Sequence, residues 1–254
     1  ASKVESQFSL LVDTSTNPFF VNIPFFVPGL SIQTFIDAST PVGDAESYEL
    51  RLTSNSDGPF SWSIGAYSYD AVDEDVLEVA FQPLNQPTAQ PVVFVGRGNR
   101  ILTESFAVFG SLGYQINDQW SASVAMRYAN EDQELIGTGQ TSGVTGSQSF
   151  DYVTPRFTLE YASSDNTLWY ASAAEGVKVG GFNSNAAGLP EFTFDEESNW
   201  TYELGLKTRF MDNRIVLSGD IFYIDWENIQ IQSAIPGSTI SVNVNSGGAT
   251  SSGI

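Results

Sequence analysis

The sequence contains no cysteine and no histidine, and it has few cations. Without these two residue types there is no disulfide, no zinc site with His or Cys ligands, no haem ligation by histidine, and no Ser-His-Asp or Cys-His catalysis. Only 10 Lys and Arg residues stand against 30 Asp and Glu residues, which gives a formal net charge of −20. Because binding to phosphates requires clustered cations, this balance argues against a nucleic-acid partner.

Long hydrophobic runs are also missing. No segment reaches the roughly 18 apolar residues of a membrane-spanning helix, and the most apolar stretch, residues 19–30, is interrupted by Asn22, Pro24 and Pro28. The first six residues do not resemble a signal peptide, so we expect that one was removed or that the chain begins inside a larger protein. With 254 residues, 41% of them hydrophobic, the chain is nevertheless too apolar for disorder.

The strongest pattern in the sequence has a period of two. Residues 104–116 place Phe106, Val108 and Leu112 on one parity, and mostly small or polar residues on the other. After a short Asn-Asp-Gln segment the pattern restarts with Trp120 and continues to residue 129. Two alternating runs separated by a short polar turn predict a β-hairpin with one apolar face.

The same unit recurs along the chain, and we predict about nine or ten strands and no amphipathic helix of useful length. The further hairpins pair residues 46–54 with 60–70, 151–163 with 167–178, and 198–210 with 215–225. A last strand is predicted to start near Asn243, and Pro155 predicts a bulge or a strand that begins after it, since proline cannot donate to the ladder.

The connections between these strands alternate between short and long. The short turns are 55–59, 117–119, 164–166 and 211–214, and the long connections lie near 13–45, 71–102, 130–149, 179–197 and 226–242. Alternate connections of an up-and-down sheet lie at the same end, so all the long loops are expected at one end. This sorting is typical of outer-membrane barrels, which have short periplasmic turns and long external loops.

Aromatic residues cluster near both ends of the predicted strands. Such rings form the two interfacial girdles of membrane barrels, although aromatic residues are also frequent in strands generally. The residues predicted to form these girdles are Tyr114, Trp120, Tyr161, Trp169, Trp200, Phe210 and Trp226.

Most ionisable residues of the clearer strands lie on the polar parity. An Arg or Lys that faces lipid at mid-depth costs about 2–4 kcal/mol, so this one-sided placement is expected of a membrane barrel with a polar lumen. In a soluble β-sandwich the same pattern would put the apolar parity in the core. The predicted lumen-facing residues are Arg127, Arg156, Glu160, Glu203, Lys207 and Arg209.

The sequence singles out no catalytic, cofactor or metal site. The acidic run at Asp73, Glu74 and Asp75 lacks the glycine turn that often shapes a calcium loop, and a solvated loop explains it better. A glycosidase requires two carboxylates, but no pair among the 30 acidic residues is distinguished from the others. The residues alone therefore disfavour an enzyme.

Several stretches together resemble the central part of the β-barrel of a TonB-dependent outer-membrane receptor. The resemblance runs over most of residues 46–254, and its specificity comes from the order and spacing of individually weak motifs. The matching stretches are YELRLTS at 48–54, DGPFSWSIGAY at 57–67, ESFAVFG at 104–110, WYAS at 169–172, GVKVGGFN at 176–183, WTYELGLK at 200–207, DWENIQIQ at 225–232 and NSGGATSSG at 245–253.

This resemblance implies an all-β, antiparallel up-and-down transmembrane barrel of about 22 strands, plugged by an N-terminal domain and energised by the TonB-ExbB-ExbD complex. The implied function is uptake of a scarce nutrient such as a ferric siderophore, across the outer membrane of a Gram-negative bacterium. Outer-membrane lipid, lipopolysaccharide and a small nutrient ligand are the implied partners. Plug and closing C-terminal strands are absent from this sequence, so we expect a partial barrel, with a self-closed small barrel as the less favoured case.

Two hypotheses from other functional classes are also compatible with the sequence. One is a soluble, secreted β-sandwich that binds glycans, and the other is a small barrel with an enzymatic function. Solubility without detergent would favour the sandwich, and a hydrolysis screen addresses the enzyme.

Overall fold

A computed structural model describes residues 8–13, 32–40, 43–55, 58–83, 92–139, 141–212, 214–238 and 240–254. These residues form β-strands, turns and two short 3₁₀ turns, Ser184–Ala186 and Pro190–Phe192. The predicted all-β class is confirmed. No helix in the described part of the chain has the length and apolar character needed to cross a membrane.

Fifteen strands are present in the described residues, and most are arranged as hairpins. Their bounds are β1 Phe8–Asp13, β2 Ile32–Thr40, β3 Gly43–Thr53, β4 Phe60–Pro83, β5 Val92–Gln115, β6 Trp120–Gly139, β7 Thr145–Ser164, β8 Thr167–Lys178, β9 Gly181–Phe182, β10 Thr193–Phe194, β11 Glu197–Phe210, β12 Ile215–Glu227, β13 Gln230–Ala234, β14 Ser241–Asn245 and β15 Ala249–Gly253.

Eleven of these strands pair in one sheet, which follows the order of the sequence. The order is β1-β2-β4-β5-β6-β7-β8-β11-β12-β15, with β3 also paired to β4. The small pairs β9–β10 and β13–β14 form two separate two-stranded sheets within the long connections that follow β8 and β12. Sequential antiparallel pairing confirms the predicted up-and-down arrangement.

The chain divides into two compact units. The first consists of residues 1–46, 70–103 and 133–147, and the second of residues 47–69, 104–132 and 148–254. In the first unit, Thr141 Oγ1 donates to the carbonyls of Gly98 (2.6 Å) and Thr138 (2.8 Å). Arg100 lies 3.4 Å from Glu74, a member of the acidic run. The second unit contains all of the side chains discussed below as a functional site.

The predicted short turns 117–119 and 164–166 are present, and the described residues of 55–59 and 211–214 also lie outside the strands. Asn117 Oδ1 accepts hydrogen bonds from the backbone N–H groups of Gln119 (2.9 Å) and Trp120 (3.0 Å), so the side chain closes the turn between β5 and β6. The turn between β11 and β12 has left-handed backbone at Met211 (φ 51°) and Asp212 (φ 56°). A tight reversal of this kind requires positive φ angles.

The strands are longer than the alternation predicts. Much of 71–102 and 130–149, expected as loops, is strand: β4 continues to Pro83, β5 starts at Val92, β6 continues to Gly139 and β7 starts at Thr145. Residues 130–134 read Asn-Glu-Asp-Gln-Glu and are polar on both parities, so a pattern that requires one apolar face ends too early.

Two further local expectations differ from the structure. Pro155 lies inside β7, and the irregularity in the β7–β8 register is at residue 163, between Ala162 and Ser164. The last strand of the large sheet, β15, begins at Ala249, because the segment near Asn243 belongs to β14 and pairs with β13. Parts of the predicted connection 13–45 lie outside the described residues, and 32–40 is strand β2.

Candidate functional site

The register between β11 and β12 defines the two faces of the sheet in the second unit. Tyr202 lies opposite Tyr223, and Leu204 lies opposite Ile221. On the other face, Glu203 lies opposite Phe222, and Lys207 opposite Ser218. Directly paired residues point to the same side of a sheet, so one face is apolar and the other carries the charges.

The apolar face is exposed across several neighbouring strands. Ile64 on β4, Leu112 on β5 and Leu204 on β11 keep 55%, 47% and 49% of their surface accessible. Soluble monomers rarely expose a continuous apolar surface of this kind. The apolar parity of β5 runs over residues 106–116, which at a tilt of ~40° spans about 26 Å, close to the ~25 Å band of membrane barrels.

Aromatic rings mark the ends of this apolar face. Next to the short turns, Phe60 packs on Tyr114 with ring centroids 4.7 Å apart, and Trp120 stacks on Tyr161 at 4.6 Å. Trp169 lies opposite Tyr161, on the same face. At the other end of the strands, Trp200 stacks on Tyr202 at 6.1 Å, and Tyr202 lies 6.5 Å from Tyr223.

On the same face, acidic residues lie beside the aromatic rings that are farthest from the short turns. Trp200 is flanked by Glu175 on β8 and Asp225 on β12, and Tyr128 donates a 2.6 Å hydrogen bond to Asp151. Carboxylates are costly in hydrocarbon, so these residues mark where the apolar face ends.

Six of the seven predicted girdle residues lie on this apolar face, and Trp226 does not. Phe210 lies opposite Ile215 beside the β11–β12 turn, as the girdle prediction requires. Trp226 lies opposite Asn199, so it shares the face of Glu203 and Lys207 and is removed from the girdle set. The strand 215–225 carries large apolar residues on both parities, which is why sequence alone did not assign its faces.

The six predicted lumen-facing residues share the opposite, polar face. Ser121 donates to Glu160 at 3.0 Å, Tyr170 donates to Glu203, and Lys207 Nζ lies 5.1 Å from the centre of the Tyr170 ring. Glu160 is paired with Tyr170 in the register, and Tyr170 is paired with Gly205. Gly205 is two residues from Glu203 and lies on the same face of β11. The remaining members of the set lie on this face as well: Arg127, Arg156 opposite Ala174, and Arg209 opposite Val216.

Three aromatic rings on the polar face pack directly against glycines of a neighbouring strand. A Cβ atom at Gly205 would overlap the Tyr170 ring, and one at Gly253 would come within 2.7 Å of Phe222. A Cβ at Gly65 would overlap the ring of Phe109 and would also lie 2.8 Å from the carbonyl oxygen of Leu50. Aromatic residues commonly cover strand glycines in this way. Sequence analysis did not pair these residues, although each aromatic–glycine pair could be found once the strand register is known.

Phe109 is also the centre of a cation–aromatic cluster that sequence analysis missed. Arg51 on β3 lies over the Phe109 ring, with its guanidinium carbon 5.1 Å from the ring centre. Arg127 on β6 approaches the same ring at 6.0 Å and the Tyr67 ring on β4 at 5.3 Å. Glu49 lies 2.9 Å from Arg51. The alternating apolar positions 48, 50 and 52 were the signal that places Arg51 on the polar face.

Amide side chains connect the long connections of the second unit to one another. Buried Asn183 donates to the carbonyls of Glu191 and Asn243, both at 2.8 Å, and accepts from the Asn243 N–H at 2.8 Å. Gln230 donates to Val179 (2.9 Å) and Asp195 (3.0 Å). Asn245 bonds both the N–H (2.7 Å) and the carbonyl (2.9 Å) of Asp195. These loops therefore form one hydrogen-bonded platform.

Comparison with known proteins gives a consistent result. The family model described as TonB dependent receptor-like, beta-barrel matches residues 6–254. The probable TonB-dependent siderophore receptor PiuA of Acinetobacter baumannii is 27% identical over 160 residues, which cover 59% of this chain and 22% of that protein. The metal-pseudopaline receptor CntO of Pseudomonas aeruginosa is 25% identical over 176 residues, covering 63% and 24%. The chain thus spans about a quarter of the length of these curated relatives.

Among solved structures, the ferric yersiniabactin uptake receptor FyuA from Yersinia pestis superimposes with a TM-score of 0.63 at 20% sequence identity. The match covers 88% of this chain and 33% of the receptor chain. At this identity the likeness concerns the fold.

Proposed function

Because the chain belongs to the TonB-dependent receptor-like β-barrel family, we propose that it is part of an outer-membrane transporter for a scarce nutrient such as a ferric siderophore. Membership confirms the predicted fold, an antiparallel up-and-down transmembrane β-barrel of which the chain supplies a part. PiuA is named as a probable siderophore receptor and FyuA as a ferric yersiniabactin uptake receptor, which supports a metal-chelate cargo.

The exposed apolar face of the second unit is the observation that carries this proposal. A soluble β-sandwich would press such a face against a second sheet and bury it, whereas a membrane barrel leaves it to lipid. The ends of the apolar face also fit a bilayer. Aromatic rings lie at both ends, and carboxylates lie beside the rings that are farthest from the short turns. These rings would then lie at the two interfaces of the outer membrane of a Gram-negative bacterium, in contact with lipid and lipopolysaccharide.

The polar face would line the interior of the barrel. There Arg127, Glu160, Glu203 and the other residues of the predicted lumen set would hold an N-terminal plug through hydrogen bonds and line the route of passage. Small residues such as Ser63 and Ser111, whose hydroxyl groups are 2.7 Å apart, leave room on this face for a packed domain. The TonB-ExbB-ExbD complex would supply energy through that plug, and no bond of the cargo would be made or broken.

Recognition of the cargo would take place on the platform formed by the connections after β8 and β12. The amide side chains of Asn183, Gln230 and Asn245 hold the backbone of these connections in place. A preorganised surface loses less conformational entropy when a ligand binds.

The proposal is tested with the full-length protein produced in a Gram-negative host that lacks its own ferric siderophore receptors. We expect the protein to require detergent for extraction, to migrate heat-modifiably on a gel, and to restore uptake of one radioactive ferric siderophore from a panel. Deletion of tonB should abolish this uptake. Extraction of a native protein without detergent would refute the membrane assignment, and TonB-independent uptake would refute the proposed energy source.

A further inference from the structure

We propose that Arg51 and Arg127, held by the rings of Phe109 and Tyr67, form a binding site for a carboxylate group on the polar face of the sheet. The site rests on the proposed function to the extent that the polar face lies inside the barrel. All four residues belong to the second unit and come from four adjacent strands, β3 to β6.

One aromatic ring and one glycine place the two guanidinium groups around a common centre. The Phe109 ring packs against Gly65 on β4, and Arg51 on β3 reaches across β4 to this ring. Arg127 approaches the same ring from β6, so both guanidinium carbons lie within 6.0 Å of one ring centre. Stacking on an aromatic face uses the flat side of a guanidinium and leaves its edge N–H groups available as donors.

The two arginines differ in the partners they already have. Arg127 is half-buried, and within the part of the chain that the structure describes it contacts no carboxylate. Arg51 pairs with Glu49, but both side chains are about half exposed, at 54% and 43%. Exposed pairs of this kind contribute little, so an incoming carboxylate can displace or share this contact.

The shape and charge of the site favour a carboxylate. A depression of 340 Å³ is lined by Glu49, Arg51, Phe109, Arg127 and Thr154, among other residues. In a chain with a formal charge of −20, two cations within 6.0 Å of one ring centre form a local exception to the surrounding negative field. A guanidinium fork matches the two oxygens of a carboxylate, and its charge-assisted bonds to an anion are stronger than those to a neutral acceptor, whereas a cationic ligand is repelled.

The carboxylate has two sources, a small anionic permeant or an acidic side chain of the plug. We test both with the full-length receptor in detergent and with propane-1,2,3-tricarboxylate as the probe, because it has three carboxylates and lacks a hydroxyl group for chelating iron. Binding is measured by calorimetry, and plug docking by the rate at which trypsin releases the N-terminal domain. The variants are Arg51→Gln, Arg127→Gln and Arg127→Lys, and Arg214→Gln in the β11–β12 turn is the charge-matched control.

If the site is open to small anions, the probe binds the unmodified receptor, and Arg127→Gln weakens binding by about 10- to 100-fold. Arg127→Lys, which keeps the charge but not the fork, should weaken binding less, and Arg214→Gln should not change it. If a plug carboxylate fills the site, the probe does not bind, and Arg51→Gln and Arg127→Gln accelerate release of the N-terminal domain while Arg214→Gln does not.

The proposal is overturned if the probe does not bind and none of the variants changes the release rate. It is also overturned if Arg214→Gln has the same effect as Arg127→Gln, since the effect would then follow net charge alone. Heat-modifiable migration of every variant reports whether the barrel is folded. It separates failure of this site from failure of the proposed membrane function.

Discussion

Replacing Leu112 by arginine should destabilise the folded barrel in a bilayer by about 2–4 kcal/mol, which corresponds to a shift of roughly 30- to 1000-fold in the folding equilibrium. Leu112 lies midway along the apolar stretch 106–116 of β5, and its side chain is 47% exposed on the apolar face. An arginine there would face hydrocarbon at the depth where the cost is greatest. Urea unfolding of the full-length receptor in lipid vesicles, followed by heat-modifiable migration, measures the change.

Two controls separate lipid exposure from other effects. Ile116→Arg places the same charge on the same face beside the β5–β6 turn, where the cost should fall to about 0–1 kcal/mol. Ser123→Arg places it on the polar face and should be tolerated at least as well. A protein core would penalise arginine without this dependence on depth. Equal losses for Leu112→Arg and Ile116→Arg, or for Leu112→Arg and Ser123→Arg, would therefore refute the assignment of the apolar face to lipid.

The remaining predictions concern the glycines that pack against aromatic rings and the platform formed by the long connections. Gly65→Val should lower the free energy of unfolding by about 1–3 kcal/mol, because the new side chain meets the Phe109 ring and a backbone carbonyl. Gly219→Val is the control: nothing lies within 4 Å of its Cβ, so it should be near neutral in the same urea experiment. Equal effects of the two substitutions would contradict the close contact at Gly65. Asn183→Ala should leave buried polar groups of the platform unpaired and so increase cleavage of the long connections by protease. Asn185→Ala removes one exposed hydrogen bond and should change the cleavage rate little. Resistance to protease in both variants would show that the platform does not depend on Asn183.

The hairpins could be predicted from sequence because one physical constraint acts on every second residue. Where one face is apolar, as in 104–116 and 120–129, the alternation gives both the strands and their faces. The constraint is lost where both faces are polar, so the ends of β4 to β7 were not predicted. It is also lost where both parities are apolar, so only the register with β11 assigns a face to Trp226, and that face is not the one of the predicted girdle.

On the polar face, too, some features could be predicted from sequence and others could not. The charged residues of the clearest strands could be placed on it by parity. The register puts five of the six on one side, and the ring contacts of Arg127 place it there as well. The cluster around Phe109 could not be predicted, because Arg51 and Tyr67 belong to one hairpin and Phe109 and Arg127 to another. Their meeting depends on the stagger between strands, which alternation within a single strand does not encode.

In the proposed barrel, Gly65, Gly205 and Gly253 would let the rings of Phe109, Tyr170 and Phe222 pack close to the backbone of the neighbouring strand, because a Cβ atom at each glycine would collide with the ring. A side chain at any of these positions would push the ring away from the sheet and toward the proposed interior. Single substitutions at residues 65, 205 and 253 would therefore change the width of that interior without a change in any strand.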